Sequence, residues 1–278
     1  MTFAPRRFDN RLERFRALLL ALTMTPLVIV AQAQLTSTTD KTQSTSAKPA
    51  QEPQKSPEGR RIQAVRVADA IKIDGLLDEP DWSLAQPATQ FLQQQPTEGA
   101  PASERTEVRV LFDDKNIYFG IRAFDADAAH INARELVRDA EFSNDDTVAI
   151  VLDTYHDRRN AFRFIVNPLG TQQDALITDE GRDINITWNG SWISAGRIDD
   201  QGYTVEIEIP LTTLRFKEGV ESWGFNISRI IRRKNEENLW TSWQRSFGLE
   251  RVSQAGELTG VEEIRRRRLR EIKPYASG

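Results

Sequence analysis

The sequence predicts an all-β domain, a two-sheet antiparallel β-sandwich, on three observations. Apolar residues alternate with a period of two at many places after residue 60, the spacing that sends successive side chains to opposite faces of a strand. Turn residues interrupt these runs at short intervals. No long stretch carries the three-to-four residue periodicity of an amphipathic helix, which argues for packed sheets and against a parallel α/β fold.

The central pair is the clearest. Val148, Ile150 and Leu152 alternate, and after the polar stretch His156 to Asn160 so do Phe162, Phe164 and Val166, as in an antiparallel hairpin. Ala149, Val151 and Ile165 make the opposite face largely apolar too, so these strands are expected in mid-sheet with both faces covered. Upstream, Val65 to Ala68 and Ile71 to Ile73 read as short strands leading into the turn Asp74-Gly75. Leu76, Leu77 and Trp82 then suggest a single helical turn plugging one end of the core. Thr106, Val108, Val110 and Phe112 pair with Ile117, Phe119, Ile121 and Ala123 in a second hairpin about Asp113 to Asn116. Asp127 to Asp139 reads as a short helix or a long loop. Tyr203, Val205, Ile207 and Ile209 form a strand ended by Pro210. Trp223, Phe225 and Ile227 form another, and Leu239 to Gln244 one more.

The ends of the 278-residue chain have their own logic. Arg6, Arg7, Arg11, Arg14 and Arg16 precede an apolar run, Ala17 to Val30, and the small-x-small pattern Ala31-Gln32-Ala33, so residues 1–33 read as an export signal. Residues 34–59, rich in Pro, Ser, Thr and Gln, read as a disordered linker. The folded domain is expected over 60–264, and 265–278 as a basic tail opening a C-terminal region that the chain lacks. A net charge of -4 gives no general attraction to nucleic acid. The absence of cysteine excludes disulfides, thiolate metal sites and thiol nucleophiles. The two histidines, His130 and His156, sit in polar loops without a catalytic motif.

Seven segments, in order IDGLLDEPDW, TEVRVLFDDKNIYFGIRAFD, DDTVAIVLD, FRFIVNPLG, YTVEIEIPLTTLRF, WGFNISR and GELTGV, together resemble the family 9 carbohydrate-binding modules. The resemblance runs from about Ile62 to Ile264 and is closest to the version that precedes a predicted outer-membrane β-barrel. It implies a β-sandwich joined to other modules, binding sugars without catalysis in polysaccharide breakdown or uptake, in the periplasm or at the outer membrane or cell surface. The barrel itself is not in this chain: the 17 residues after Val261 are too few, since one spanning strand takes about 9–11. As the family pattern aligns, Ala149 stands in the place of a glutamate and Ile165 in the place of an arginine, so contacts to the familiar ligand are lost. Tryptophans of the pattern fall close to Phe142 and before the final strand, where Phe247 can offer a ring.

The candidate sugar-binding residues follow. Trp188 and Trp192, in TWNGSW, and Trp240 and Trp243, in LWTSW, are either stacking platforms or packing residues that seal the sandwich. With Phe142, the first two are the expected stacking surface, while Asn189, Asp145 and Arg229 are expected to orient hydroxyls. Arg229 shares the strand phase of Trp223, Phe225 and Ile227, so its guanidinium needs a buried partner, with Asp146 or Asp153 the first candidates. Asp125 and Asp127 are weak candidates for a structural calcium, the alternative being polar turns. Glu206 and Glu208 lie about 6.8 Å apart along one strand face, a distance a glycoside hydrolase can use. The basic run Arg265 to Arg268 with Arg270 is either a solvated linker or a contact for lipid headgroups. Three functions stay open: glycan binding, a plug-like structural domain of an outer-membrane barrel, and hydrolysis of O-glycosyl bonds by a cleft holding Glu206 and Glu208.

Overall fold

The computed structural model describes residues 59–265. The expected export signal, the linker and all but the first residue of the basic tail lie outside the described residues.

Thirteen strands make up the described residues: β1 Arg61–Arg66, β2 Leu92–Gln95, β3 Thr106–Phe112, β4 Asn116–Phe124, β5 Thr147–Asp153, β6 Ala161–Val166, β7 Gln172–Thr178, β8 Asp183–Asn185, β9 Ile193–Asp199, β10 Gly202–Pro210, β11 Ser222–Ile231, β12 Glu236–Leu239 and β13 Gly256–Thr259. They pair in the order β8-β7-β6-β5-β11-β13-β1-β3-β4-β10-β9, with β12 beside β11 and β2 beside β12. The path turns a corner at β1. Its first half, Arg61 to Gln63, runs parallel to Glu257 to Thr259 of β13, and its second half, Ala64 to Arg66, runs parallel to Val110 to Phe112 of β3. One strand thus belongs to two layers, and the sandwich is antiparallel except at these two joins.

The expected alternation is what packs the layers. Val148, Ile150, Leu152, Phe162, Phe164 and Phe225 from one sheet meet Val108, Val110, Phe119, Ile121, Val205 and Ile207 from the other in a single buried cluster. Phe119 and Phe225 stack across the gap at 5.9 Å. Each such side chain contributes about 1.5–3 kcal/mol of burial, so the inner layer dominates stability.

Both outer faces are covered, as the apolar second face of β5 suggested. On one, Ala149, Val151, Ile177 and Leu239 lie under Leu249 and Val252 of the segment that precedes β13, with Ile165 and Trp243 at the margin. On the other, Leu111 and Tyr118 lie under Ile71, Trp82 and Ala85. The one-turn helix Pro80–Leu84 therefore plugs an outer face, not an end of the core. Gly120 makes this possible: a Cβ there would lie 2.8 Å from both Leu77 and Trp82.

Two other expectations shift, and of the two forms left open for Asp127 to Asp139 the structure has the loop. Ile71 to Ile73 is not a strand, because the chain leaves the sheet after β1 to wrap that face. Asp127 to Asp139 is a loop with one short turn, Ala128–His130. The strand expected over Leu239 to Gln244 is β12, which ends at Leu239.

Candidate functional site

The residues singled out from the sequence lie in three places. Trp192 is 3 % exposed. Its indole N–H donates to Asp174 Oδ2 at 2.6 Å, and its ring meets Phe164 edge-on at 5.1 Å. Trp188 is half-buried against Phe162, with ring centres 5.2 Å apart. The stacking role expected of Trp192 is corrected accordingly: TWNGSW crosses from β8 to β9 and closes the edge between the sheets, and the indole is consumed by packing. Arg138 ties this crossing down by donating to Asp174 at 2.8 Å and to Asn189 Oδ1 at 2.7 Å. Burial pushes the Asp174 carboxyl up, while the indole and Gly190 N–H donors oppose it.

Asp145, Phe142 and Arg229 belong to one end of the sandwich, where the loops 125–146, 167–171 and 232–235 gather. Asp145 is buried, and its Oδ2 accepts from the backbone N–H of Arg134 and Glu135 and from Asn167 Nδ2 at 2.9–3.0 Å. It organises a loop and has no open side for a hydroxyl. Phe142 is buried as well, its carbonyl accepting from Arg232 at 3.1 Å. Arg229 has no exposure, as its strand phase required. Its partner, however, is Asp125 at 3.7 Å. Further donations go to the Arg105 carbonyl at 3.1 Å and Thr106 Oγ1 at 3.2 Å, and the guanidinium lies over Tyr203.

The two aspartates first considered for Arg229 are otherwise engaged. Asp146 Oδ1 accepts the Arg232 N–H at 2.8 Å, and burial raises its carboxyl to about 6 although Arg229 opposes the shift. Asp153 lies at the opposite end. The calcium expectation fails a test of fit here. Asp125 Oδ1 already bonds Arg233, Asp127 faces His130 at 2.7 Å and Arg233 at 3.8 Å, and two guanidinium groups occupy the space a cation would need. No group of three His, Asp or Glu suited to a metal occurs among the described residues.

Glu206 and Glu208 do not share a cleft. Glu206 is fully covered by the chain at Asp74 and Gly75, whose N–H groups donate to its Oε2 at 2.9 and 2.8 Å. Burial raises its carboxyl to about 7. This part of β10 is the floor under that loop, and Thr204 Oγ1 donates to the Gly75 carbonyl there.

The opposite end of the sandwich is open, and the sequence had not marked it. There β3, β5 and β10 finish and β4, β6 and β11 begin, as the registers Phe112 with Ile117, Asn116 with Pro210 and Asp153 with Gly224 require. Two recesses lie side by side. One of about 650 Å³ is lined by Lys115, Asn116, Leu211, Leu214, Arg215 and Arg265 among others, and one of about 630 Å³ by His156, Arg158, Lys217, Glu221 and Ser222 among others. Tyr155 lines both and is 43 % exposed, so its ring stands as a partition at the mouth.

The tip that carries Tyr155 is held from beneath. Asp153 is buried, and its two oxygens accept the N–H of Asp157 at 3.1 Å and Arg158 at 2.7 Å. Burial raises its carboxyl, and those donors oppose the shift. Gly224 leaves room for it, since a Cβ there would lie 2.9 Å from that of Asp153. Thr154 Oγ1 donates to the Arg215 carbonyl at 2.6 Å and the Lys217 N–H returns to the Thr154 carbonyl at 3.2 Å. Leu211 N–H reaches the Lys115 carbonyl at 2.7 Å. Three separate turns are thereby locked into one rim. His156 and Arg158 take left-handed backbone angles, φ 52° and 58°, which cost free energy for such residues and persist only where neighbours fix them. What the sequence offered was an aromatic residue inside a polar turn, DTYHDRRN, a signal weaker to the eye than four tryptophans.

The fold is thus a two-sheet β-sandwich with a locked loop rim at one end. The sequence profile of a family described as carbohydrate family 9 binding domain-like matches residues 73–250, and the chain belongs to that family. Among solved structures, a family 9 carbohydrate-binding module from Caldicellulosiruptor kristjanssonii in complex with cellotriose superposes with a TM-score of 0.50 at 17 % identity, covering 78 % of this chain and 100 % of the other. A candidate carbohydrate-binding protein from Bacteroides uniformis ATCC 8492 superposes with a TM-score of 0.58 at 11 % identity, covering 72 % of this chain and 99 % of the other. At these identities the likeness is one of fold. No curated protein matches the chain.

Proposed function

We propose that this domain binds a glycan without catalysis, at the open end of the sandwich, with Tyr155 as the stacking ring. The single observation that carries the reading is the position of Tyr155: exposed, on a hydrogen-bonded tip, between two recesses edged by hydrogen-bonding side chains. Sugar rings present C–H faces that lie well on an aromatic plane, and the polar rim supplies partners for hydroxyls. A pre-locked rim keeps the ordering cost of binding low. Support from kinship is that the chain belongs to a family named for carbohydrate binding and that a family 9 module of the same fold was crystallised with cellotriose. In this reading the protein is exported through residues 1–33, works in the periplasm or at the outer membrane or cell surface, and serves polysaccharide breakdown or uptake.

Calorimetric titration of the full chain with a panel of oligosaccharides tests it. Saturable binding that weakens about tenfold or more in Tyr155→Ala supports the proposal; an affinity unchanged by this substitution removes the site.

A second reading has one observation in its favour. The face on which Ala149 and Ile165 lie is apolar and capped by Leu249 and Val252, so the family's expected polar contacts are replaced by packing. That suits a structural or plug-like domain of an outer-membrane barrel protein with no sugar ligand. A titration silent across neutral and acidic glycans would favour it.

A further inference from the structure

We infer that the glycan accepted at the open end is polyanionic, a chain bearing carboxylate or sulfate groups. The inference rests on the glycan-binding reading above and gives it a substrate class. The two recesses are lined by six cationic side chains, Arg61, Lys115, Arg158, Arg215, Lys217 and Arg265, against three carboxylates, Asp114, Glu221 and Glu257. Two of those carboxylates are already held: Asp114 bonds Arg66, and Glu257 takes Arg61 at 2.9 Å. Lys115, Arg158, Arg215 and Lys217 are exposed and have no carboxylate within ion-pair distance among the described residues. The chain as a whole carries a net charge of -4, so this concentration of positive charge is local and opposed to the average.

Placement separates the rim from an ordinary charged surface. Arg158 and Lys217 are on one side of Tyr155, Lys115 and Arg215 on the other, so cations flank the ring on both sides. A saccharide lying on Tyr155 would reach cationic heads with the substituents of the residues before and after it. Three carboxylates of the same turns are given to the backbone: Asp153 holds Asp157 and Arg158 N–H, Asp157 holds Arg159 and Asn160 N–H at 2.8 Å, and Asp113 holds Lys115 and Asn116 N–H at 2.6–2.7 Å. The same hydrogen bonds that build the turns keep these three carboxylates from the rim's cations. Guanidinium groups suit carboxylate and sulfate because their N–H donors match paired oxygens.

The full chain is titrated with oligogalacturonate, chondroitin sulfate oligosaccharide, cello-oligosaccharide and a single-stranded DNA of matched charge, at low and at raised salt. Wild-type protein is compared with Tyr155→Ala and with the double variant Arg158→Gln/Lys217→Gln, each checked for an unchanged thermal midpoint. The expected result is that an acidic oligosaccharide binds about tenfold or more tightly than the neutral one at low salt, losing about tenfold in the double variant and in Tyr155→Ala. Oligogalacturonate carries carboxylates alone and chondroitin sulfate carries carboxylates and sulfates, so equal or tighter binding of the former shows that carboxylates suffice. A neutral oligosaccharide bound as tightly as the acidic ones, with the double variant unaffected, would overturn the inference and leave glycan binding standing. No saccharide binding at all would overturn both. DNA bound as well as the acidic glycans, with Tyr155→Ala indifferent, would reduce the rim to unspecific polyanion attraction and overturn the inference too.

Discussion

The two ends of the sandwich use the same residue types in opposite ways. At the closed end, Arg229 and Arg233 meet Asp125 almost out of reach of water, and the carboxylate is given to guanidinium groups. At the open end, Asp113, Asp153 and Asp157 satisfy backbone N–H groups, and the arginines and lysines around them face solvent. The difference teaches that acid and base counts do not distinguish a lock from a binding rim. What distinguishes them is whether the carboxylates are given to cations or to the main chain.

The contrast can be broken or sharpened by substitution. The largest effect is expected at the closed end: Arg229→Ala leaves buried Asp125 with Arg233 as its one cation, removes the positive charge that opposes the burial of Asp146, and should cost about 3–5 kcal/mol in denaturant unfolding. Next comes pH. The Asp146 carboxyl is raised from 3.8 to about 6 by burial, so the folded protein binds the proton more tightly than the unfolded chain. Stability from this group therefore falls as pH rises from about 4 to about 6, by about 2 kcal/mol. Asp146→Asn should flatten that part of the melting profile, and Arg229→Ala should carry its upper limit to higher pH. At the open end, Asp153→Ala frees two backbone donors and should cost about 1–3 kcal/mol, with a parallel loss of glycan affinity as the tip loosens. Smallest in stability is Tyr155→Ala, expected within about 0.5 kcal/mol of wild type yet weakening glycan binding about tenfold by calorimetry. Should Tyr155→Ala destabilise as much as Arg229→Ala, the tyrosine is a packing residue and the two ends do not differ.

Much of the fold was legible because alternation reports which face a side chain occupies. Val148, Ile150 and Leu152 announced the inner layer, the apolar Ala149, Val151 and Ile165 announced a covered outer face, and the phase of Arg229 announced its burial. Less legible were β7, where Gln172 and Gln173 are half-buried and Asp174 is a buried acceptor for Trp192 and Arg138, and β9, where Ser194, Ala195, Gly196 and Arg197 break the pattern on a partly solvated edge strand. The partner of Arg229 was hidden for a different reason. Asp125 follows β4 and Arg229 lies near the end of β11, and only the meeting of two sheets brings them together. The tryptophans of TWNGSW misled because a loop that crosses between sheets needs large side chains as much as a sugar site does. Tyr155 was passed over because its neighbours are polar, yet that polarity is what builds the turn and keeps the ring in solvent.

The shared strand β1 has a mechanical consequence. It and β13, the strands that open and close the described domain, lie side by side and parallel. A load drawn through the chain at these two strands would pull them past one another along their axes, so the bonds at Arg61, Ile62 and Gln63 would have to yield together, not one after another. Shear of that kind resists rupture better than peeling, and forced unfolding is governed by the rate over that barrier. A module gripping a polymer while anchored through its own chain would be loaded in its strong direction.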